Sequence, residues 1–113
     1  LLQANIIVEV SDKDDAISVL FDLFDFFDSD NVEVVKVEQY WKENQLYKVL
    51  VNFNIEQVLT KEIADKFLSA IGNKWVWNHG GYEAHASSEV EGTKFKNQRV
   101  RFINIWFEDL QKT

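Results

Sequence analysis

Residues 4–27 read ANIIVEVSDKDDAISVLFDLFDFF, and the change of pattern inside this stretch decides the fold. Ala4 to Val10 is a near-continuous apolar run rich in Ile and Val, the pattern of a central strand covered on both faces. From Ser11 the period changes. Ser11 is placed as a helix N-cap, with Asp14 three positions on as a variant capping box, and Asp12, Asp14 and Asp15 suit the positive end of a helix dipole. The spacing predicts a helix over 14–27. Ile17, Leu20, Phe21, Phe24 and Phe27 form its expected buried stripe, and Asp15, Ser18, Asp22, Asp25 and Ser29 its wet stripe.

The rest of the chain extends this opening strand and helix. Residues 32–41 read as a second strand, ending on Tyr40 and Trp41, with Glu43-Asn44-Gln45 as a hairpin turn. Residues 46–55 read as a third strand. Tyr47, Val49, Val51, Phe53 and Ile55 face the core, and Lys48, Asn52 and Asn54 face water. Thr60 is placed as the cap of a second helix, with Ile63, Ala64, Phe67, Leu68 and Ile71 as its apolar stripe and Gly72 at C′. A strand at 74–78, a Gly80-Gly81 turn, a strand at 82–87, a Glu91-Gly92 turn and a last strand at 98–107 complete the chain. In that last strand Val100, Phe102 and Trp106 are expected on one face, and Ile103, Ile105 and Phe107 on the other. The β-α-β-β-α-β order predicts an α+β fold of ferredoxin-like, split βαβ type. Its antiparallel sheet would carry two helices on one face and an elaborated C-terminal hairpin. Proline, linkers, low-complexity runs and repeats are lacking, so residues 1–113 read as a single domain.

Composition narrows the function classes. A hydrophobic fraction of 46% and an aromatic fraction of 14% supply a core and argue against disorder. Cysteine is absent, which removes a disulfide framework, a thiolate nucleophile and a cysteine metal site, and fits a reducing, cytoplasmic setting. The apolar opening from Leu1 to Val8 is short and lacks a basic flank, and Glu9 interrupts it. It is therefore read as neither a signal core nor a membrane span, and Leu1 to Gln3 are given no functional weight.

The net charge of −7 is concentrated. Residues 9–38 hold ten acids against Lys13 and Lys36, whereas residues 39–73 balance and residues 74–113 carry an excess of one base. Such a field repels phosphates and attracts basic partners, so nucleic acid is disfavoured as a ligand. On the first helix Asp15, Asp22, Asp25 and Asp28 are the candidate anchors for a partner's Lys and Arg.

No Gly-x-Ser-x-Gly elbow, phosphate loop or dinucleotide fingerprint occurs, and neither a cofactor nor a catalytic residue is assigned. Asp28-Ser29-Asp30-Asn31 begins like a calcium loop, but Val32, Glu33 and Gln39 stand where a ligand, the turn glycine and the bidentate Glu belong. His79, Glu83 and His85 are the one candidate imidazole–carboxylate group. With no nameable supporting partner they read as a polar hairpin tip rather than a metal or acid–base site. Trp75, Trp77 and Tyr82 are candidate aromatic binding anchors. Apolar character on both faces of the last strand implies a central strand, or an outer face covered by a partner or a second copy of the chain.

A small, acidic, cysteine-free domain without a catalytic motif resembles, in general character, the bacterial immunity proteins paired with secreted toxins of contact-dependent inhibition systems. The resemblance covers the whole chain's profile and rests on no signature motif. It implies a cytoplasmic, non-enzymatic protein that occludes a cognate basic toxin, such as a nuclease. The competing reading from another class is a dimeric ferredoxin-like sensor or enzyme, with a ligand pocket around Trp75, Trp77, His79 and His85.

Overall fold

A computed structural model describes residues 2–40 and 45–111. The elements are β1 (Leu2–Glu9), α1 (Lys13–Leu23), a 3₁₀ turn (Ser29–Asn31), β2 (Val32–Gln39), β3 (Leu46–Phe53), α2 (Lys61–Ile71), β4 (Val76–Trp77), β5 (Glu83–Ser87), β6 (Val100–Phe107) and a short α3 (Glu108–Gln111). The α+β class expected from the pattern is what the chain forms. Among the described residues the strands make one six-stranded sheet in the order β2-β3-β1-β6-β5-β4, antiparallel at every step. Because β1 and β2 both run antiparallel to β3, they are parallel to each other and need a crossover, which α1 provides. In the same way α2 and the β4–β5 hairpin carry the chain from β3 past β1 to β6.

The central place expected for the first strand is observed, but its burial is one-sided. Leu2, Ala4, Ile6 and Val8 are buried, while Gln3, Asn5 and Ile7 alternate with them on a half-buried open face. The strand also starts earlier than the sequence suggested. Leu2 is only 2% exposed and pairs with both Phe53 and Phe107, and Gln3 Nε2 donates to Asn52 Oδ1 at 2.8 Å. The alternation expected for β3 holds from Tyr47 to Phe53, with Tyr47, Val49, Val51 and Phe53 buried, but the strand ends at Phe53 and leaves Ile55 half-buried beyond it.

In β6 a register shift opposite Ile7 and Val8 pairs Ile7 with Phe102 and Val8 with Val100, leaving Arg101 as the extra residue. This bulge corrects the expected two faces. Val100 is buried with Ile103, Ile105 and Phe107, while Phe102 and Trp106 lie on the open side with Asn104. The sheet edges are poor templates for further pairing. β4 is two residues long, and β2 carries Glu33, Lys36 and Glu38 and a second register irregularity between Val34 and Lys36.

Asp12, not Ser11, caps α1. Asp12 is extended, and its carboxylate accepts the Asp15 backbone N–H at 2.8 Å; Ser11 lies one residue too early to reach the free N–H groups of the first turn. The buried stripe is Ala16, Val19, Leu20 and Leu23, rotated from the expected one toward smaller side chains. The helix ends at Leu23, and a turn follows in which Phe27 N–H donates to Phe24 O at 2.9 Å. Phe24 and Phe27 both lie against Phe53 and Phe67, Phe24 with centroids at 4.7 and 5.8 Å and Phe27 at 5.4 and 6.1 Å. Phe67 in turn meets Phe107. These edge-on and stacked rings tie α1, α2 and both halves of the sheet into one core, at about 0.5–1.5 kcal/mol per aromatic pair beyond area burial.

α2 follows its sequence pattern closely. The Thr60 hydroxyl accepts Ile63 N–H at 3.3 Å, and Ala64, Phe67, Leu68 and Ile71 are buried. Gly72 ends the helix as its cap but in an extended conformation, not the left-handed one expected at C′. Glycine fits there because a Cβ would press on the Phe95 ring and Lys94 O, where Gly72 and Phe95 form an isolated bridge. The hairpin turn placed at 43–45 lies largely outside the described residues, as does Trp41; Tyr40 follows the end of β2.

Candidate protein-binding surface

The outward face of α1 follows from its inner one. With Ala16, Val19, Leu20 and Leu23 against the sheet, helical geometry turns Asp14, Ser18 and Phe21 directly away from it. Phe21 is 40% exposed, so an aromatic ring placed in the core by the sequence pattern instead stands on the surface among acidic and small polar neighbours. Asp14, Asp22, Asp25, Asp28 and Asp30 are exposed around it and along the turn that follows, while Asp15 is half-buried on the flank.

These carboxylates are partly engaged within the chain. Asn97 Nδ2 donates to Asp22 Oδ2 at 2.8 Å, and Lys96 forms an ion pair with Asp25 while lying 5.6 Å from the Phe26 ring centroid. Asp28 accepts the Asp30 N–H at 3.0 Å and so caps the 3₁₀ turn. Thus Asp15, Asp22, Asp25 and Asp28 lie together on α1 and the turn after it. Two of them also hold the loop that leads into β6.

The aromatic candidates are elsewhere and hold the opposite edge of the sheet. Trp75 Nε1–H is shared between Leu68 O at 2.9 Å and Gly72 O at 3.1 Å, which satisfies carbonyls at the end of α2. Trp77 packs on Phe107 at 5.5 Å, with Lys61 Nζ 3.6 Å from its ring centroid. Tyr82 lies across Gly80 so closely that a Cβ there would run into its ring. All three are half-buried against the core. They hold the β4–β5 hairpin down against the core.

His79, Glu83 and His85 do not converge. His79 is exposed in the turn, where Gly81 adopts a positive φ of 72°. Glu83 commits one oxygen to Asn104 Nδ2 at 2.7 Å and the other to Asn78 Nδ2 at 3.1 Å. His85 stacks on Phe102 with centroids 6.2 Å apart. Among the described residues no group of three or more His, Cys, Asp or Glu could hold a metal ion. The expected pocket around Trp75, Trp77, His79 and His85 is not formed. Val76 pairs with His85 and Trp77 with Ala84, so Trp77 points to the core side of the sheet and His85 to the open side.

Among the described residues the sequence did not signal the recesses, of which two are lined by phenylalanine rings exposed at the surface or on the open face of the sheet. One, of about 450 Å³, lies on the open face and is lined by Asn5, Ile7, Lys48, Phe102, Asn104 and Glu38 among others. The other, of about 380 Å³, is apolar and opens between the turn after α1 and α2. Phe26, at 44% exposed, lines the apolar recess; Phe102 and Asn104, which alternate with the buried Ile103 and Ile105 along β6, share the open-face one. Among the described residues no helix is long and apolar enough to cross a membrane. No protein-family model, curated protein or solved structure matches the chain.

Proposed function

We propose that this chain is a small, non-enzymatic binding protein of the cytoplasm that neutralises a basic partner protein by occlusion. In that role it resembles the immunity proteins that protect bacteria from a cognate toxin. The observation that carries this reading is the outer face of α1, where Phe21 stands exposed among carboxylates. An aromatic side chain in an acidic surround matches the anatomy of a contact patch, with an apolar anchor and a charged rim. The concentration of acids in residues 9–38 supplies the long-range field that steers a basic partner.

On the same footing we assign the fold to the ferredoxin-like class. The order β2-β3-β1-β6 with helical crossovers after β1 and β3 supports a split βαβ unit, to which β5 and β4 are added as an inserted hairpin.

The test is affinity capture from the native cell, followed by association kinetics across a salt series for the native protein and for Asp15→Asn/Asp22→Asn/Asp25→Asn. Steering predicts a slower association at low salt and a flatter salt dependence in the triple variant. Equal association rates would leave the acidic face with a solubilising role only. The recess on the open sheet face favours a second reading, a ligand-binding or self-associating sheet. Asn5, Asn104, Lys48 and Glu38 offer polar groups around Ile7 and Phe102 there. This reading predicts a partner whose binding is insensitive to the α1 substitutions.

A further inference from the structure

The apolar recess adjoins an acidic one. The first is walled by Phe26, Phe27, Ile63 and Phe67, and shares Leu2, Ile55 and Leu59 with its neighbour. That neighbour, of about 430 Å³, is lined further on by Asp30, Glu33 and Asp109, and no lysine or arginine is among the described residues lining it. Phe26, which lines the first, is 44% exposed, and Val58, which lies in the chain between the lining residues Gln57 and Leu59, is 82% exposed. The surrounding charges have mostly one sign. Asp25 and Asp28 flank Phe26 and Phe27 in the chain, Glu56 follows Ile55, and Glu62 precedes Ile63. Lys66, the basic residue lining the apolar recess, is 3.6 Å from Glu62, and Lys96 is engaged by Asp25.

We infer that this double recess receives a segment of the partner protein in which a large apolar side chain is flanked by lysine or arginine. The apolar group seats against Phe26, Phe27 and Ile63, and the basic group reaches Asp30 and Glu33. Charge complementarity decides the occupant. An apolar acid would bring its carboxylate to a rim of carboxylates, whereas a basic segment is attracted to it and directed in register by the acidic end. The inference rests on the proposed basic partner, and it adds to the Phe21 contact on the outer face of α1 a second apolar anchor point, in the groove beyond the C-terminal end of that helix.

The experiment uses the full chain with labelled methyl groups and backbone amides, and short synthetic peptides. One peptide carries leucine between arginines; one control replaces the leucine with serine, another replaces the arginines with glutamate, and decanoate serves as an apolar acid. The leucine–arginine peptide is expected to shift the methyl resonances of Ile55, Leu59 and Ile63, and both peptide controls and decanoate to bind at least tenfold more weakly. Phe26→Ser and, separately, Asp30→Asn/Glu33→Gln should each weaken the leucine–arginine peptide by tenfold or more. The carboxylate variant keeps the test valid should the serine variant fold poorly. Shifts confined to Ser18, Phe21 and Asp22 on the outer face of α1 would overturn the groove while leaving the proposed function standing. Equal binding of the glutamate peptide or decanoate, or no binding at all, would overturn it as well. Groove binding by the peptide, with no basic protein captured from the cell, would instead remove the proposed function and keep the groove.

Discussion

Asn104 on β6 donates its side-chain N–H to Glu83 on β5 at 2.7 Å, across the open face of the sheet. The second oxygen of Glu83 takes Asn78 at 3.1 Å, so one half-buried carboxylate joins β6, β5 and the turn after β4. Glu83→Ala strands two amides and is expected to lower stability by about 1–2 kcal/mol. Glu83→Gln, which keeps one acceptor oxygen, should lose less. Denaturant midpoints of the two variants against the native protein check the order; an alanine variant as stable as the glutamine one would mean that the hairpin does not depend on this bridge.

The cap of α1 gives a sharper contrast. Asp12→Ala removes the acceptor for the Asp15 N–H and is expected to cost about 1 kcal/mol, while Ser11→Ala should be close to neutral. Thermal unfolding of both variants measures this, and a larger loss from the Ser11 variant would place the cap one residue earlier.

Leu2 is expected to behave as a core residue despite its place near the start of the chain. It is 2% exposed between Phe53 and Phe107, and Leu2→Ala should cost about 2–5 kcal/mol through lost burial and the cavity left behind. A change below half a kilocalorie in chemical denaturation would show that this end of β1 frays.

Phe21→Ala is predicted to separate folding from binding. An exposed ring contributes little to the core, so the unfolding midpoint should move by about 0.5 kcal/mol or less. Affinity for a captured basic partner is expected to fall by at least tenfold, measured by surface binding or calorimetry. Unchanged affinity would remove Phe21 from the contact.

The parts of this molecule that were legible in its sequence depend on local spacing. Thr60, the Ile63–Ile71 stripe and Gly72 delimit α2 within a residue, and the alternation of Tyr47, Val49, Val51 and Phe53 orients β3. The misplacements have non-local causes. Phe21 and Ile17 outrank Ala16 and Val19 in hydrophobicity, yet the closer fit of the smaller side chains against the sheet sets the rotation of α1. Neither neighbour of Arg101 announces the bulge that turns Val100 inward, because it arises from pairing with β1, far away in the chain. For the candidate site, the acidic concentration is local and was visible; Asp22 and Asp25 finding Asn97 and Lys96 was not. The packing of Trp75 on the end of α2 and of Trp77 on Phe107 was not legible either, because it depends on where the β4–β5 hairpin meets those elements.

The position of β1 between β3 and β6 sets a timetable for assembly. Residues 2–53 emerge from a ribosome able to pair β1 with β3 and β3 with β2, but the other side of β1 has nothing to bond with until the segment that pairs Leu2 with Phe107 has been made. For that interval a bare row of backbone donors and acceptors, backed by Ile6 and Val8, faces the crowded cell. The concentration of aspartates just downstream is then useful before any partner is met. Nascent copies carry the negative charge of residues 9–38 directly beside the sticky strand, and so repel one another while they wait for closure.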